Sequence, residues 1–236
     1  MDPSRIAHLL APFLNDAKLA NTQLTTISTY IDLLLRWNTR INLTAVRNPE
    51  EIVTRHFGES LFAARHLFPP ENSRPQPGAP GFASFAKPGI DGSADLSGLL
   101  DLGSGAGFPG IPIKLWAPHL HVILIESNQK KATFLREVCR ATTLTDVNVM
   151  AGRAEAYTGA AGGTVTMRAV ERFDSALAVA RRLIAPLGRL ALLIGTPQAG
   201  RAHQLLAYLA WSDPIPIPLS SSRVLIVGTA AMEPDS

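Results

Sequence analysis

Residues Leu99 to Gly110 read LLDLGSGAGFPG, two apolar residues and an acid running straight into four glycines. An apolar run that breaks into glycines is the junction of a strand with a loop whose backbone can approach a ligand closely. The glycines fit two spacings at once. Gly103, Gly105 and Gly107 form G-x-G-x-G directly after Asp101, whereas Gly105, Gly107 and Gly110 form G-x-G-x-x-G, the dinucleotide fingerprint. Further along, HVILIES ends its apolar run in Glu126, 19 residues past Gly107. A carboxylate at that place accepts hydrogen bonds from ribose hydroxyls, so loop and acid together predict a nucleoside site. The competing reading is a tight turn followed by a solvated strand end.

Asp101 and the prolines separate the two spacings. Asp101 ends the strand where Rossmann-type S-adenosylmethionine enzymes carry an acid facing the amino-acid end of the cofactor; dinucleotide binders usually place an apolar residue there. A pyrophosphate also needs free N–H groups at the following helix start, and Pro109 and Pro112 remove two of them. A sulfonium without phosphate loses nothing by this. S-adenosyl-L-methionine is therefore the expected cofactor, with Asp101, Gly103, Gly105, Gly107 and Glu126 as its candidate contacts.

Outward from the loop, LLDLG, HVILIES, VNVM, TVTMRA and GRLALLIG are short apolar or β-branched runs. NQKKATFLREVCRATT and DSALAVARRLIAPLG lie between them with helical spacing. Such alternation predicts an α/β fold, a mostly parallel sheet with helices on both faces; with the cofactor expected above, the fold expected is Rossmann-like, of the class I S-adenosylmethionine-dependent methyltransferase kind. A helix from Gln198 to Trp211 and a closing hairpin in PIPIPLSSSRVLIVGTA bring the expected strand count to seven. Residues 1–68 read as an amino-terminal helical extension. Ile27, Ile31, Leu34 and Leu35 form an apolar stripe running to Trp37, and Asn48, Pro49, Glu50 and Glu51 open a second helix that continues to about Leu67. Residues 69–98 hold six prolines and five glycines, the composition of a linker or surface insertion. Residues 99–236 form the catalytic core, the whole making one compact unit.

The chain has 236 residues, 46% of them hydrophobic, which suits a globular α/β domain. No long uncharged apolar run or leader is evident, and the single cysteine, Cys139, cannot form an internal disulfide, so we expect a cytoplasmic monomer without membrane contact. A net charge of +3 permits nucleic-acid binding without demanding it. Two methylation chemistries are disfavoured. MRAV stands where enzymes of exocyclic amines carry Asn or Asp before two prolines, and Cys139 sits mid-helix as a small core residue rather than as a nucleophile.

Together, LLRWNTRINLTAVRNPEEIVTRHFGES, DLGSGAGFPGIPI, Glu126, KKATFLREV, GRAEAY and MRAV resemble the bacterial 16S rRNA guanine-N7 methyltransferases, also called glucose-inhibited division protein B. The likeness runs from about Leu33 to Leu67 and from Leu99 to Val170. It implies cofactor contacts at Gly103 and Phe108, at Ala154 and Glu155 beside the adenine, and at Arg168, which is also the one catalytic candidate. It implies 16S rRNA or the small ribosomal subunit as partner, and no metal. Arg36, Arg40, Arg47, Arg55, His56 and Arg223 are candidate RNA contacts. Solvated helix faces for the arginines and a buried, hydrogen-bonded place for His56 are the plainer readings. Trp37 and Asn38 read as packing and backbone-satisfying residues. Three places depart from the family pattern: Gly163 or Thr164 where relatives carry an acid, Met167 where they carry serine, and Ile194 where they carry lysine. With a last strand ending LIVGTA, these departures suggest less positive charge near RNA phosphate. A small-molecule methyltransferase of the same fold and a non-catalytic, cofactor-binding assembly module are the rival functions.

Overall fold

The computed structural model describes residues 1–69, 96–169 and 172–232. The expected linker of residues 69–98 therefore lies, except at its two ends, outside the described residues. Strands β1 (Gly98–Leu102), β2 (His121–Glu126), β3 (Val147–Ala151), β4 (Gly162–Arg168) and β5 (Ile184–Gly195) are parallel, in the order β3-β2-β1-β4-β5. β8 (Arg223–Thr229) runs antiparallel to β5, and the two-residue strands β6 (Ala210–Trp211) and β7 (Ile215–Pro216) pair with β8. The chain moves outward from β1 through β2 to β3, then crosses back to place β4 on the other side of β1. The order reverses between β1 and β4, and a ligand of such a sheet sits at the carboxyl ends of the strands there.

Alternation along the strands divides the core between the two faces of the sheet. Leu99, Val122, Leu124, Ala191 and Leu193 face α5 (Gly110–Trp116) and α6 (Gln129–Ala141). Leu100, Leu102, Ile125, Leu190 and Leu192 face α7 (Phe173–Leu183) and α8 (Thr196–Leu205). The amino-terminal segment shares the first of these cores. It comprises α1 (Pro3–Leu14), α2 (Asn21–Asn38) and a long helix in three parts: α3 (Pro49–Ile52), a π-helical stretch Val53–Gly58, and α4 (Glu59–Leu67). Polar ties fasten the segment to the sheet domain. Gln23 Nε2 donates to Leu115 O at 2.6 Å, Trp116 Nε1 to Phe68 O at 2.8 Å and Arg189 Nη1 to Leu67 O at 2.9 Å. The extension is thus one wall of the domain.

Local signals predicted the helix starts well. Asn48 Oδ1 accepts from the amides of Glu50 and Glu51 at 2.8 and 3.2 Å, the cap its position suggested. Asn38 Oδ1 accepts from Leu43 and Thr44 amides at 2.9 and 3.1 Å, and Trp37 Nε1 donates to Glu137 at 3.0 Å. Among the described residues the sheet has eight strands rather than seven, because the helix expected to reach Trp211 ends at Leu205. Trp211 folds back instead. Its Nε1 donates to Leu206 O at 3.0 Å, and its ring lies over Gly228 of β8, where a Cβ would meet it at 3.0 Å. The π-helical stretch had no counterpart in the sequence reading.

Candidate functional site

The loop after β1 is built on backbone that only glycine adopts easily. Gly103, Gly105 and Gly107 have φ of 68°, 58° and 90°. Gly103 and Ser104 amides donate to Ile125 O at 2.9 and 3.1 Å, which carries the loop across the end of β2. The glycines differ in what surrounds them. A Cβ on Gly107 would strike the Tyr30 hydroxyl and come within 2.7 Å of Ile111 Cδ1, so this glycine is required by packing. A Cβ on Gly105 would find only Gly103 O, at 3.7 Å, so the space beside it is open.

Asp101 is placed otherwise than expected. Its carboxylate is 1% exposed, accepting from Thr166 Oγ1 at 2.8 Å and from the Gly110 amide at 3.2 Å. Burial pushes the carboxyl up to about 6 against the pull of these hydrogen bonds. Asp101 thus anchors the loop to β4 and to α5 and presents no open face, which departs from its expected place beside the cofactor's amino-acid end. Its position also closes the first turn of α5 to an external anion. The Gly110 amide is held by Asp101, those of Ile111 and Ile113 donate to Gly107 O and Pro109 O at 2.9 and 3.1 Å, and Pro112 has none. No N–H of that turn is left for a pyrophosphate.

Glu126 lies at the carboxyl end of β2, 7% exposed, with Oε2 accepting from Gly105 N at 2.8 Å and Oε1 from Asn128 N at 2.7 Å. An ionised carboxylate has about four acceptor positions, so two remain for hydroxyls of a ligand. Ala154 and Glu155 form a 3-10 turn with Ala156 beyond β3, Ala154 half-buried and the Glu155 side chain exposed. Loop, acid and turn line the carboxyl ends of β1, β2 and β3, as their sequence positions suggested. Phe108 is 7% exposed and makes the far end of the loop an aromatic cluster: Tyr30 stacks on it with centroids 5.4 Å apart, and Phe57 meets it edge-on at 5.1 Å.

Arg168 closes the other side of the reversal point from the end of β4. Its side chain is 8% exposed, and Nη2 meets three groups of the amino-terminal helix: Arg55 O at 2.6 Å, His56 Nδ1 at 3.1 Å and Glu59 Oε2 at 3.1 Å. Its guanidinium also lies 5.9 Å from the Phe108 ring centroid. Burial lowers it to about 10, opposed by Glu59, which leaves it a cation at neutral pH. Glu59 Oε2 also meets Arg223 Nη2 at 3.0 Å, so one buried carboxylate serves guanidinium groups from β4 and β8.

This arrangement divides the expected RNA contacts. Arg36, Arg40, Arg47 and Arg55 are exposed on the amino-terminal segment. His56 is hydrogen-bonded between Thr44 and Arg168, so its ring nitrogens are turned inward, whereas Arg223 is 24% exposed and held by Glu59 through Nη2. The departures from the family pattern are also internal. Thr164, Met167 and Ile194 are buried, and Gly163 packs directly on the Leu96 backbone. Sequence reasoning missed Glu59, Thr44 and Tyr30. A signal for Glu59 was present, an acid set among Phe57, Leu61 and Phe62 in a helix, since a charge on an apolar face needs a buried partner. Among the described residues no cluster of His, Cys, Asp and Glu is suited to a metal ion, and no helix is long and apolar enough to cross a membrane.

Comparison with known proteins matches residues 23–73 and 88–212 to the family described as rRNA small subunit methyltransferase G. A ribosomal RNA small subunit methyltransferase G from Xanthomonas axonopodis pv. citri is 37% identical over 206 residues, covering 84% of this chain and 82% of the relative. Its counterpart from Xylella fastidiosa (strain 9a5c) is 35% identical over 206 residues, with the same coverage of 84% and 82%. Among solved structures, a SAM dependent methyltransferase from Aquifex aeolicus superposes with a TM-score of 0.48 at 15% identity, covering 57% of this chain and 82% of that one. The chain belongs to the rRNA small subunit methyltransferase G family.

Proposed function

We propose that this protein is an S-adenosylmethionine-dependent methyltransferase acting on the N7 of a guanine in 16S ribosomal RNA. The observation that carries the cofactor assignment is the closed first turn of α5: with Asp101 on its first amide, that turn offers a phosphate no free N–H. Gly105 leaves open space, and Glu126 retains acceptor capacity for ribose hydroxyls. That site suits a nucleoside without phosphates. Family membership supports rRNA as the substrate class.

When bound, the cofactor supplies a methyl group activated by its sulfonium. The guanine N7 bears a free lone pair at neutral pH, so no protein base must remove a proton before attack. Holding two reactants in line accounts for roughly 7–11 kcal/mol of barrier lowering, and positioning is the chemistry this site is equipped for. Glu126 and the Ala154–Glu155 turn hold the nucleoside, and Arg168 faces the incoming base from the end of β4. The exposed Arg36, Arg40, Arg47 and Arg55 track phosphates, each contact steepening the salt dependence of binding. Duplex RNA hides N7 in its deep, narrow major groove, so the target guanine lies in a loop or an opened region.

The deciding experiment mixes the protein with methyl-labelled S-adenosylmethionine and either naked 16S rRNA or small subunits over a range of salt. Labelled 7-methylguanine is the expected product. Its absence under every condition, alongside tight binding of S-adenosylhomocysteine, would identify a non-catalytic binding module instead.

A further inference from the structure

His56 is held from three directions. Its Nε2 lies 2.7 Å from Thr44 Oγ1, its Nδ1 lies 3.1 Å from Arg168 Nη2, and its ring stacks on Phe108 with centroids 4.9 Å apart. A guanidinium nitrogen can only donate. With Nδ1 as the acceptor of that bond, the ring proton lies on Nε2, donating to Thr44. Thr44 is itself fixed: Asn38 Oδ1 accepts from its amide at 3.1 Å, Asn38 Nδ2 donates to its carbonyl at 2.9 Å, and its Oγ1 accepts from Val46 N at 3.1 Å.

The π-helical stretch brings the remaining partners to the same place. Such stretches widen a helix by one residue and recur at functional sites. Here Arg55 O, the His56 ring and the Glu59 carboxylate all converge on Arg168 Nη2. We propose that His56, as the neutral Nε2–H tautomer, is the positioning residue of Arg168, fixing that guanidinium over the glycine loop together with Arg55 O and Glu59. The amino-terminal segment then completes the methyl-transfer site as well as seating RNA. The proposal rests on reading Arg168 as a residue of that site.

The charges around the ring agree with this role. Arg168 from β4, Arg223 from β8 and Arg55 from its own helix act on the ring, and the Glu59 carboxylate is engaged with Arg168 and Arg223. Burial first, and these cations after it, hold the imidazole down at about 3. A contact to phosphate would need a ring N–H open to solvent, whereas both ring nitrogens face protein groups.

Two measurements on the full chain test it. In the 15N-labelled protein, two-bond proton–nitrogen correlations report the tautomer of each histidine, with His56 identified by the signal missing from His56→Asn. The Nε2–H pattern is expected without change from about pH 8 to about pH 5, below the ordinary histidine range. An Nδ1–H pattern, or titration near the ordinary value, overturns the proposal. This spectrum is recorded on the unmodified chain and decides even where a variant fails to fold. In the transfer assay, His56→Leu is expected to lower kcat on the order of 10–100-fold with both KM values within about threefold. His56→Asn, which returns an acceptor near the place of Nδ1, is expected to recover to within about fivefold of the parent. An unchanged kcat with a raised KM for RNA overturns the proposal in favour of a phosphate contact. If the unmodified protein transfers no methyl group to any rRNA substrate, the function reading falls, and the spectrum still decides whether His56 holds Arg168.

Discussion

The two sides of the reversal point are built in opposite ways. In the loop after β1, the polar bonds close within the sheet domain: Gly105 to Glu126, Gly110 to Asp101, Thr166 to Asp101. At Arg168 the partners arrive from a helix more than a hundred residues earlier, 113 positions away for Arg55 O and 112 for His56. The loop's backbone is held by its own strands, and Tyr30 of α2 braces it from outside at Ala106 O. The arginine is placed by the docking of another segment. One half of the site therefore depends on local backbone geometry, and the other on long-range charge pairing.

The contrast can be broken most forcefully at Glu59. Glu59→Gln leaves Arg168 and Arg223 without their shared anion. Urea unfolding should show a loss of about 3–5 kcal/mol, the cost of stripping a buried pair of one partner. A loss under about 1 kcal/mol would mean that the arginines are held by other groups.

The loop glycines come next. Gly107→Ala adds a Cβ at φ 90° against Tyr30 and Ile111, and should cost about 2–4 kcal/mol of stability. Gly105→Ala, at φ 58° with open space beside it, should cost only about 1–2 kcal/mol, yet weaken S-adenosylhomocysteine binding at least about tenfold by calorimetry. Equal costs in urea would erase the distinction between a packing glycine and a ligand-facing one.

Glu126→Gln is directed at binding, with a stability cost of about 1–3 kcal/mol because its NH2 must face the amide of Gly105 or of Asn128. Replacing the ionised acceptor should weaken S-adenosylhomocysteine by roughly 1.5–3 kcal/mol, read in the same calorimeter. An unchanged affinity would remove Glu126 from the ribose.

The last pair of effects lies in the pH dependence, and they carry opposite signs. Asp101 is raised to about 6 in the folded chain, so its contribution is present below the ordinary carboxylate range of about 4 and lost as pH rises through 6. His56 is lowered to about 3, so its contribution is present above about 6.5 and lost as pH falls toward 3. Asp101→Asn should therefore gain stability on the parent between pH 4 and 7, whereas His56→Asn should flatten the acid-side loss. Urea midpoints across that range check both, and slopes of the same sign would refute the assignment.

Much of the loop side was legible before any coordinates. Period-two alternation, glycines after a strand and an acid at the next strand end are set by neighbours in the chain, and they located β1, the turn and Glu126 correctly. The cap at Asn48 and the backbone role of Asn38 followed from the same kind of local chemistry. The eighth strand escaped because Trp211 is drawn out of helical register by a contact with Gly228. The arginine side was less legible. Arg168 is legible as a site residue and His56 as either a buried, hydrogen-bonded residue or a phosphate contact, but the carboxylate that joins Arg168 to Arg223, Glu59, is not.

By itself, the amino-acid sequence determined the order of strands and helices, the position of the glycine loop and the family to which the chain is related. Only the tertiary structure decided that Asp101 turns inward to hold α5, that His56 stays neutral beside a guanidinium, and that Glu59 joins β4 to β8. The physical reason is range. Backbone conformation and hydrophobic period depend on residues a few positions apart, whereas the charge state of a buried group depends on whichever distant element folding packs against it.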